Sequence, residues 1–187
     1  MITELTRMWL TRSTKPFLFK KEYDQELPFS DCDGLGLYVH IPFCRSICSF
    51  CPYCKTLYSE EACSRFIDAL IREIHLAGSQ IPGKKIVTSL YFGGGTPALA
   101  ADRIKEIIDA IQEHFIITQG IGIELHPENI TPRTLHIFKE AGITKLSIGI
   151  QSFQEKFQKL LGRTGADMDS LKAALSQVPF ETVSMDF

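Results

Sequence analysis

The run Leu35-Gly36-Leu37-Tyr38-Val39-His40-Ile41-Pro42-Phe43-Cys44-Arg45-Ser46-Ile47-Cys48-Ser49-Phe50-Cys51-Pro52-Tyr53-Cys54 decides how this chain is read. Its first seven residues are short, apolar and partly β-branched, which predicts a strand over 35–41. That strand feeds directly into a loop with four cysteines spaced C-x3-C-x2-C-x2-C. A strand that ends in a cluster of soft ligands suggests a site at the C-terminal edge of a sheet.

Working outward, the same rhythm repeats. Residues 59–77 place Cys63, Phe66, Ile67, Leu70, Ile71 and Ile74 on one helical face and stop at Gly78. A strand is predicted over 85–92, ended by Gly93-Gly94-Gly95-Thr96-Pro97. Asp102 is expected to cap a helix that turns Ile104, Ile107, Ile108, Ile111 and Phe115 inward. A strand over 121–125 follows, then a helix capped by Thr131, with Pro132 in its first turn and Gly142 just past its end. Residues 145–150 read as a strand, and Ser152 with Glu155 as a capping box. Asp167 opens a helix carrying Leu171, Ala174, Leu175 and Val178, and 182–187 reads as a fifth strand.

Five strands alternating with helices predict an α/β fold with a parallel sheet, barrel-like or doubly wound. Residues 1–34 show no sustained period and form an N-terminal arm; the core is expected over 35–187. Each strand end carries a distinctive group: the cysteine loop, the glycine-rich turn, Glu124, Gln151 and Asp186. In a βα barrel those ends share the functional face.

Composition bounds the function. With 44% hydrophobic and 22% charged residues among 187, the chain suits one sizeable core. A formal net charge of −2 gives no electrostatic case for nucleic acid or an anionic membrane. No apolar run approaches a membrane span, and residues 1–10 lack a signal-peptide core. Clustered cysteines without such a signal point to metal ligation in a reducing cytoplasm.

Thiolates are the usual ligands of iron–sulfur clusters, and three in one loop can hold a 4Fe–4S cube with one iron open. Other readings are a structural zinc knuckle, an electron-transfer ferredoxin, or inert thiols. Structural zinc sites usually draw pairs from two separated segments, and no second pair is evident here. The ferredoxin run C-x2-C-x2-C-x3-C-P differs in its first gap. Cys63 on the helix face reads as a small buried hydrophobe, and Cys32 as ordinary.

The segment from Tyr38 to Cys44, with Cys48 and Cys51, resembles the signature of radical S-adenosylmethionine (SAM) enzymes. Further similarity is to the branch of oxygen-independent coproporphyrinogen III oxidase and its haem-chaperone relatives. It lies in Tyr91-Phe92-Gly93-Gly94-Gly95-Thr96-Pro97, in Leu146-Ser147-Ile148-Gly149-Ile150-Gln151-Ser152-Phe153 and in Val183-Ser184-Met185-Asp186. The resemblance implies a radical SAM barrel of parallel strands, here ending within strand five, so that the chain is expected to be the N-terminal part of a longer enzyme.

It also implies a 4Fe–4S cluster held by Cys44, Cys48 and Cys51, with SAM as second cofactor. Tyr38 and Phe50 match positions that pack around SAM, and Gly94, Gly95 and Thr96 the loop that receives its methionine end. Glu124, Gln151, Arg163 and Asp186 match polar SAM-binding positions. The implied reaction is reductive cleavage of SAM to a 5′-deoxyadenosyl radical that abstracts hydrogen from a tetrapyrrole-like small molecule. A reductant such as flavodoxin or ferredoxin would supply the electron.

In the coproporphyrinogen oxidase pattern a fourth cysteine follows the third after one residue. Tyr53 holds that place here, and Cys54 comes one position later. This departure leaves open a haem-chaperone-like or methyltransferase-like relative. His40, His75, His114, His126 and His136 are scattered; His126 follows Glu124 by two and faces the same side if the strand continues.

Overall fold

The computed structural model describes residues 32–163 and 167–187. The expected arm therefore lies outside the described residues, apart from 32–34. In chain order the elements are β1 (Leu35–Ile41), β2 (Phe43–Cys44), β3 (Thr56–Leu57), α1 (Glu60–Ser79), β4 (Lys85–Gly94) and α2 (Ala101–His114). They continue with β5 (Phe115–Ile117), β6 (Ile121–Leu125), α3 (Pro132–Glu140), β7 (Lys145–Gly149), α4 (Glu155–Leu160), α5 (Met168–Gln177) and β8 (Thr182–Asp186).

The main sheet runs β1-β4-β6-β7-β8, every pair parallel. Its long strands follow one another in sequence order with no reversal. A doubly wound sheet needs a point where strand order reverses, so this order selects the barrel-like alternative. Right-handed crossovers then put the connecting helices on one side. Successive helices accordingly pack on one another, α1 on α2, α2 on α3 and α3 on α5.

The core sits between sheet and helices. Val39, Ile41, Leu90, Phe92, Ile121, Ile123, Leu125, Leu146 and Ile148 meet Ile67, Ile104, Ile107, Ile108, Ile111, Leu135 and Phe138 from the helices, all buried. Burial of such side chains contributes roughly 1.5–3 kcal/mol each before the entropy of ordering them. In β4, Val87 and Leu90 are both buried although three positions apart. Register explains it: Leu35 pairs with Val87 but Gly36 pairs with Ser89, so Thr88 is an inserted residue that turns the strand over.

The opposite face of the sheet is polar and aromatic. Tyr38, Tyr91, Gly122, Glu124, Ser147 and Asp186 lie along it through the register Tyr38–Tyr91, Tyr91–Gly122, Glu124–Ser147 and Gly149–Asp186. Gly122 is required there, since a Cβ would stand 2.6 Å from the Tyr91 ring.

The expected helix and strand positions are largely those found, with corrections at the ends. Thr131 and Asp167 cap α3 and α5 as expected, and Ser59, within the range read as helix, is the cap of α1. Asp102 does not cap α2; Ala100 holds that position without a side-chain bond, because a short 3-10 turn (Pro97–Ala100) runs straight into the helix and leaves Asp102 in its first turn. Ser152 and Glu155 form no capping box. Ser152 Oγ instead accepts from the Gln154 N–H at 3.1 Å, and α4 starts at Glu155, two residues later than the box implies. Phe115 is buried, but in β5 rather than in the helix, where the β-branched run pairs with Lys85–Val87. Cys63 is buried and Cys32 exposed.

Candidate functional site

The cysteine loop is tied down at both ends. β2 and β3 pair across its base, and Thr56 N–H donates to Pro42 O at 2.7 Å and Tyr58 N–H to Cys44 O at 2.9 Å. Phe43 is buried edge-on against Tyr58 and Phe66. Inside the loop, Lys55 Nζ donates to the Cys51 carbonyl. His40 Nε2 lies 2.8 Å from the Cys54 carbonyl. A carbonyl only accepts, so His40 carries its proton on Nε2 and leaves Nδ1 to accept from Tyr38 Oη at 3.3 Å.

The glycine-rich turn supports the same loop. Gly95 N–H donates to Ile41 O at 2.8 Å and Thr96 N–H to Phe43 O at 2.7 Å, continuing the β1–β4 pairing past the strand ends. The approach is close: a Cβ on Gly95 would lie 2.5 Å from Phe43 O and 2.9 Å from Cys44 Sγ. Gly94, at φ 112°, takes a backbone conformation suited to glycine.

These elements frame a cavity of about 300 Å³ at the C-terminal ends of the strands. Cys44, Cys48 and Cys51 line it with Phe50, Gly94, Gly95, Thr96, Glu124, Gln151, Arg163 and Asp186. Every predicted site residue except Tyr38 is thus on one wall or another. Tyr38 lines an adjoining hollow with His40, Tyr53, Tyr91, Ser147 and the same Glu124 and Asp186. Cys54 is exposed and stands outside the cavity lining.

Arg163 reaches in from beyond α4. Its Nη1 donates to Gly149 O, its guanidinium lies 5.6 Å from the Phe50 ring centroid, and its Nε is buried with no partner among the described residues. Gln151, at φ 69°, is the one non-glycine residue with positive φ among those described. That strained turn is pinned by Asp186 O, which accepts from Ile150 N–H at 2.9 Å and Gln151 N–H at 2.8 Å. Asp186 Oδ2 in turn accepts from Ser147 Oγ at 2.8 Å.

Burial pushes the Glu124 carboxyl above the usual carboxylate range, aided by Asp186 and opposed by the Gly94 backbone, Arg163 and His40. Burial also raises the Cys44 thiol, against a hydrogen bond from Thr96. His126 lines the cavity, and burial with Arg163 nearby holds its pKa below the ordinary value. Its side follows from strand alternation after Glu124. Arg45, Ser46, Lys55, Glu128 and Asn129 also line the wall, with no sequence signal beyond their neighbours' motifs.

The profile of the radical SAM superfamily matches residues 38–176. This chain belongs to the radical SAM superfamily. The radical SAM chain is 39% identical over 132 residues to anaerobilin synthase of Escherichia coli O157:H7, covering 68% of this chain and 30% of that protein. It is 28% identical to heme chaperone HemW of Bacillus subtilis over 80% of this chain and 41% of that one. Among solved structures, coproporphyrinogen III oxidase (HemN) of Escherichia coli, a radical SAM enzyme, superposes with a TM-score of 0.73 at 29% identity, over 81% of this chain and 36% of the other. The chain thus spans about a third of the length of these relatives.

The superfamily's cofactors are a 4Fe–4S cluster and SAM, and the residues of this radical SAM chain fit both. The thiols of Cys44, Cys48 and Cys51 line one cavity, which suits a cubane that binds each thiolate on a different iron. The Arg163 Nε, unpartnered among the described residues, leaves a donor for a second, polar ligand beside it. Among the described residues no helix is long and apolar enough to cross a membrane.

Proposed function

We propose that this chain is the SAM-activating part of a radical enzyme that acts on a tetrapyrrole-like substrate. The observation that carries the reading is the convergence of Cys44, Cys48 and Cys51 with Glu124, Gln151, Arg163 and Asp186 on one cavity. Cys44, Cys48 and Cys51 would hold the cluster. When bound, the two cofactors supply one-electron cleavage of a sulfonium and the radical chemistry that follows.

The protein's own work is binding and orientation. The Arg163 guanidinium, with a buried Nε still to satisfy, meets the SAM carboxylate. Glu124 and Asp186 offer carboxylates to the ammonium and the ribose hydroxyls, and Gln151 offers an amide from its pinned turn. Gly94, Gly95 and Thr96 let backbone approach the methionine end, and Phe50 closes the wall beneath Arg163. In the adjoining hollow, Tyr38 and Tyr91 stack at 6.4 Å and 12°, a flat aromatic platform beside Glu124. Aromatic faces suit the pyrrole rings of a tetrapyrrole, and the coproporphyrinogen and heme in the relatives' names are both tetrapyrroles. A low-potential donor such as flavodoxin or ferredoxin in a reducing cytoplasm suits an oxygen-labile cluster.

A haem-binding chaperone on the same scaffold is the second reading, favoured by Tyr53 where the oxidase pattern has its fourth cysteine and by the HemW likeness. Anaerobic reconstitution of the full parent protein, reduction, and assay for 5′-deoxyadenosine separates the two. Product formation supports the first; stoichiometric haem binding without 5′-deoxyadenosine replaces it with the second. Cys54→Ser should keep the iron content, while Cys44→Ala, Cys48→Ala and Cys51→Ala should each lose the cluster absorbance. Iron loss in Cys54→Ser would overturn the ligand assignment.

A further inference from the structure

On the outside of the helical layer, His75 of α1 and the last two residues of α2, Glu113 and His114, come together. His75 Nδ1 and His114 Nε2 are 3.1 Å apart, the rings meet edge to face, and His75 Nδ1 is 3.7 Å from Glu113 Oε2. Among the described residues this is the one set of His, Cys, Asp and Glu ligand atoms close enough to share an ion. We infer that it is a binding site for a borderline divalent transition metal, zinc being the natural occupant, that staples the ends of α1 and α2.

The distances fit. Two ligands about 2.0–2.1 Å from a tetrahedral zinc stand about 3.3 Å apart. The imidazoles are already near that separation, and Glu113, largely exposed, needs only a small side-chain rotation to close in. Two imidazoles and a carboxylate are a donor set that suits zinc and leaves a fourth position for water. Without metal, one imidazole must donate to the other. Binding requires only a tautomer change in the donor ring, moving its proton to the outward nitrogen with no charge lost.

The backbone is shaped for the arrangement. A Cβ on Gly78 would lie 2.1 Å from the His114 ring, so only glycine at that point of α1 lets His114 lie across the helix to reach His75. Both ligand helices end near here, and helix C-termini favour cations. The ammonium of Lys84 donates to Gln112 O at 2.7 Å.

The test uses the cluster-loaded protein, so that the cavity cysteines cannot take the probe, and titrates zinc by calorimetry with Tm as a second readout. One zinc should bind per chain and raise Tm. His75→Gln and His114→Gln should each weaken binding at least tenfold, Glu113→Gln several-fold, and Gly78→Ala should weaken it with all three ligands intact. Because Glu113 is exposed, its variant keeps the fold and decides the matter even if a histidine variant does not. No zinc binding in the loaded protein, or binding unaffected by Glu113→Gln and His75→Gln, overturns the inference. The outcome is independent of SAM cleavage.

Discussion

The Arg163 guanidinium lies 5.6 Å from the centroid of the Phe50 ring, joining the segment after α4 to the loop that carries the cysteines. The contact links the two walls of the cavity across more than a hundred residues of chain. With Nη1 on Gly149 O and Nε unpartnered, the guanidinium is oriented before any ligand arrives.

Arg163→Ala should therefore weaken SAM binding by about tenfold to a hundredfold, the span of a lost charge-assisted hydrogen bond of roughly 1.5–3 kcal/mol. Arg163→Lys should recover only part of it, because an ammonium cannot hold Gly149 and a carboxylate in one plane. Equilibrium dialysis against the cluster-loaded protein measures it; equal affinity in all three proteins would remove Arg163 from the site.

Gly95→Ala puts a methyl group against backbone that cannot move aside, 2.5 Å from Phe43 O. A cost of about 1–3 kcal/mol is expected from the forced shift. Because Cys44 Sγ lies 2.9 Å from the same point, iron content after reconstitution should fall too. Urea unfolding and iron analysis read the two effects. A variant with wild-type values for both would contradict the close approach.

Glu124 gives a pH dependence of defined sign. Its folded-state pKa is raised, chiefly by burial, so between the unfolded and folded values the folded protein binds more protons. Its contribution to stability is fully present below the unfolded value and is lost as pH rises through the folded one. In the ligand-free protein, Glu124→Gln should abolish this loss and be the more stable form at neutral pH, while binding SAM less well. Urea midpoints from pH 4 upward, compared between the two proteins, test it; a variant less stable than wild type at neutral pH would refute the assignment.

Much of this was legible in the sequence because local pattern and site chemistry coincide. The long strands, two helix caps and the gathering of Cys44, Glu124, Gln151 and Asp186 at one edge follow from alternation, cap residues and the rule that strand ends share a face. What was missed depends on neighbours in space. Phe115 has the right period for a helix face, but β4 offers its backbone a partner, and pairing wins. Ser152 looks like a cap until its hydroxyl is taken by Gln154 two residues on. Tyr38 stands in the adjoining hollow because the strand pairing sets it beside Tyr91. His75 and His114 seemed scattered because only the packing of α1 on α2 brings residues 39 apart into contact.

The unbroken strand order has a consequence for assembly. Each long strand pairs with the one before it, so the fold can grow unit by unit as the chain leaves the ribosome. All three cavity cysteines, the β2–β3 clasp and the bracing turn at Gly95 and Thr96 lie within residues 35–96. Gln151, Arg163 and Asp186 are synthesised only afterwards. The cysteine half of the cavity can thus be built while its other half is still unmade and the approach stands open.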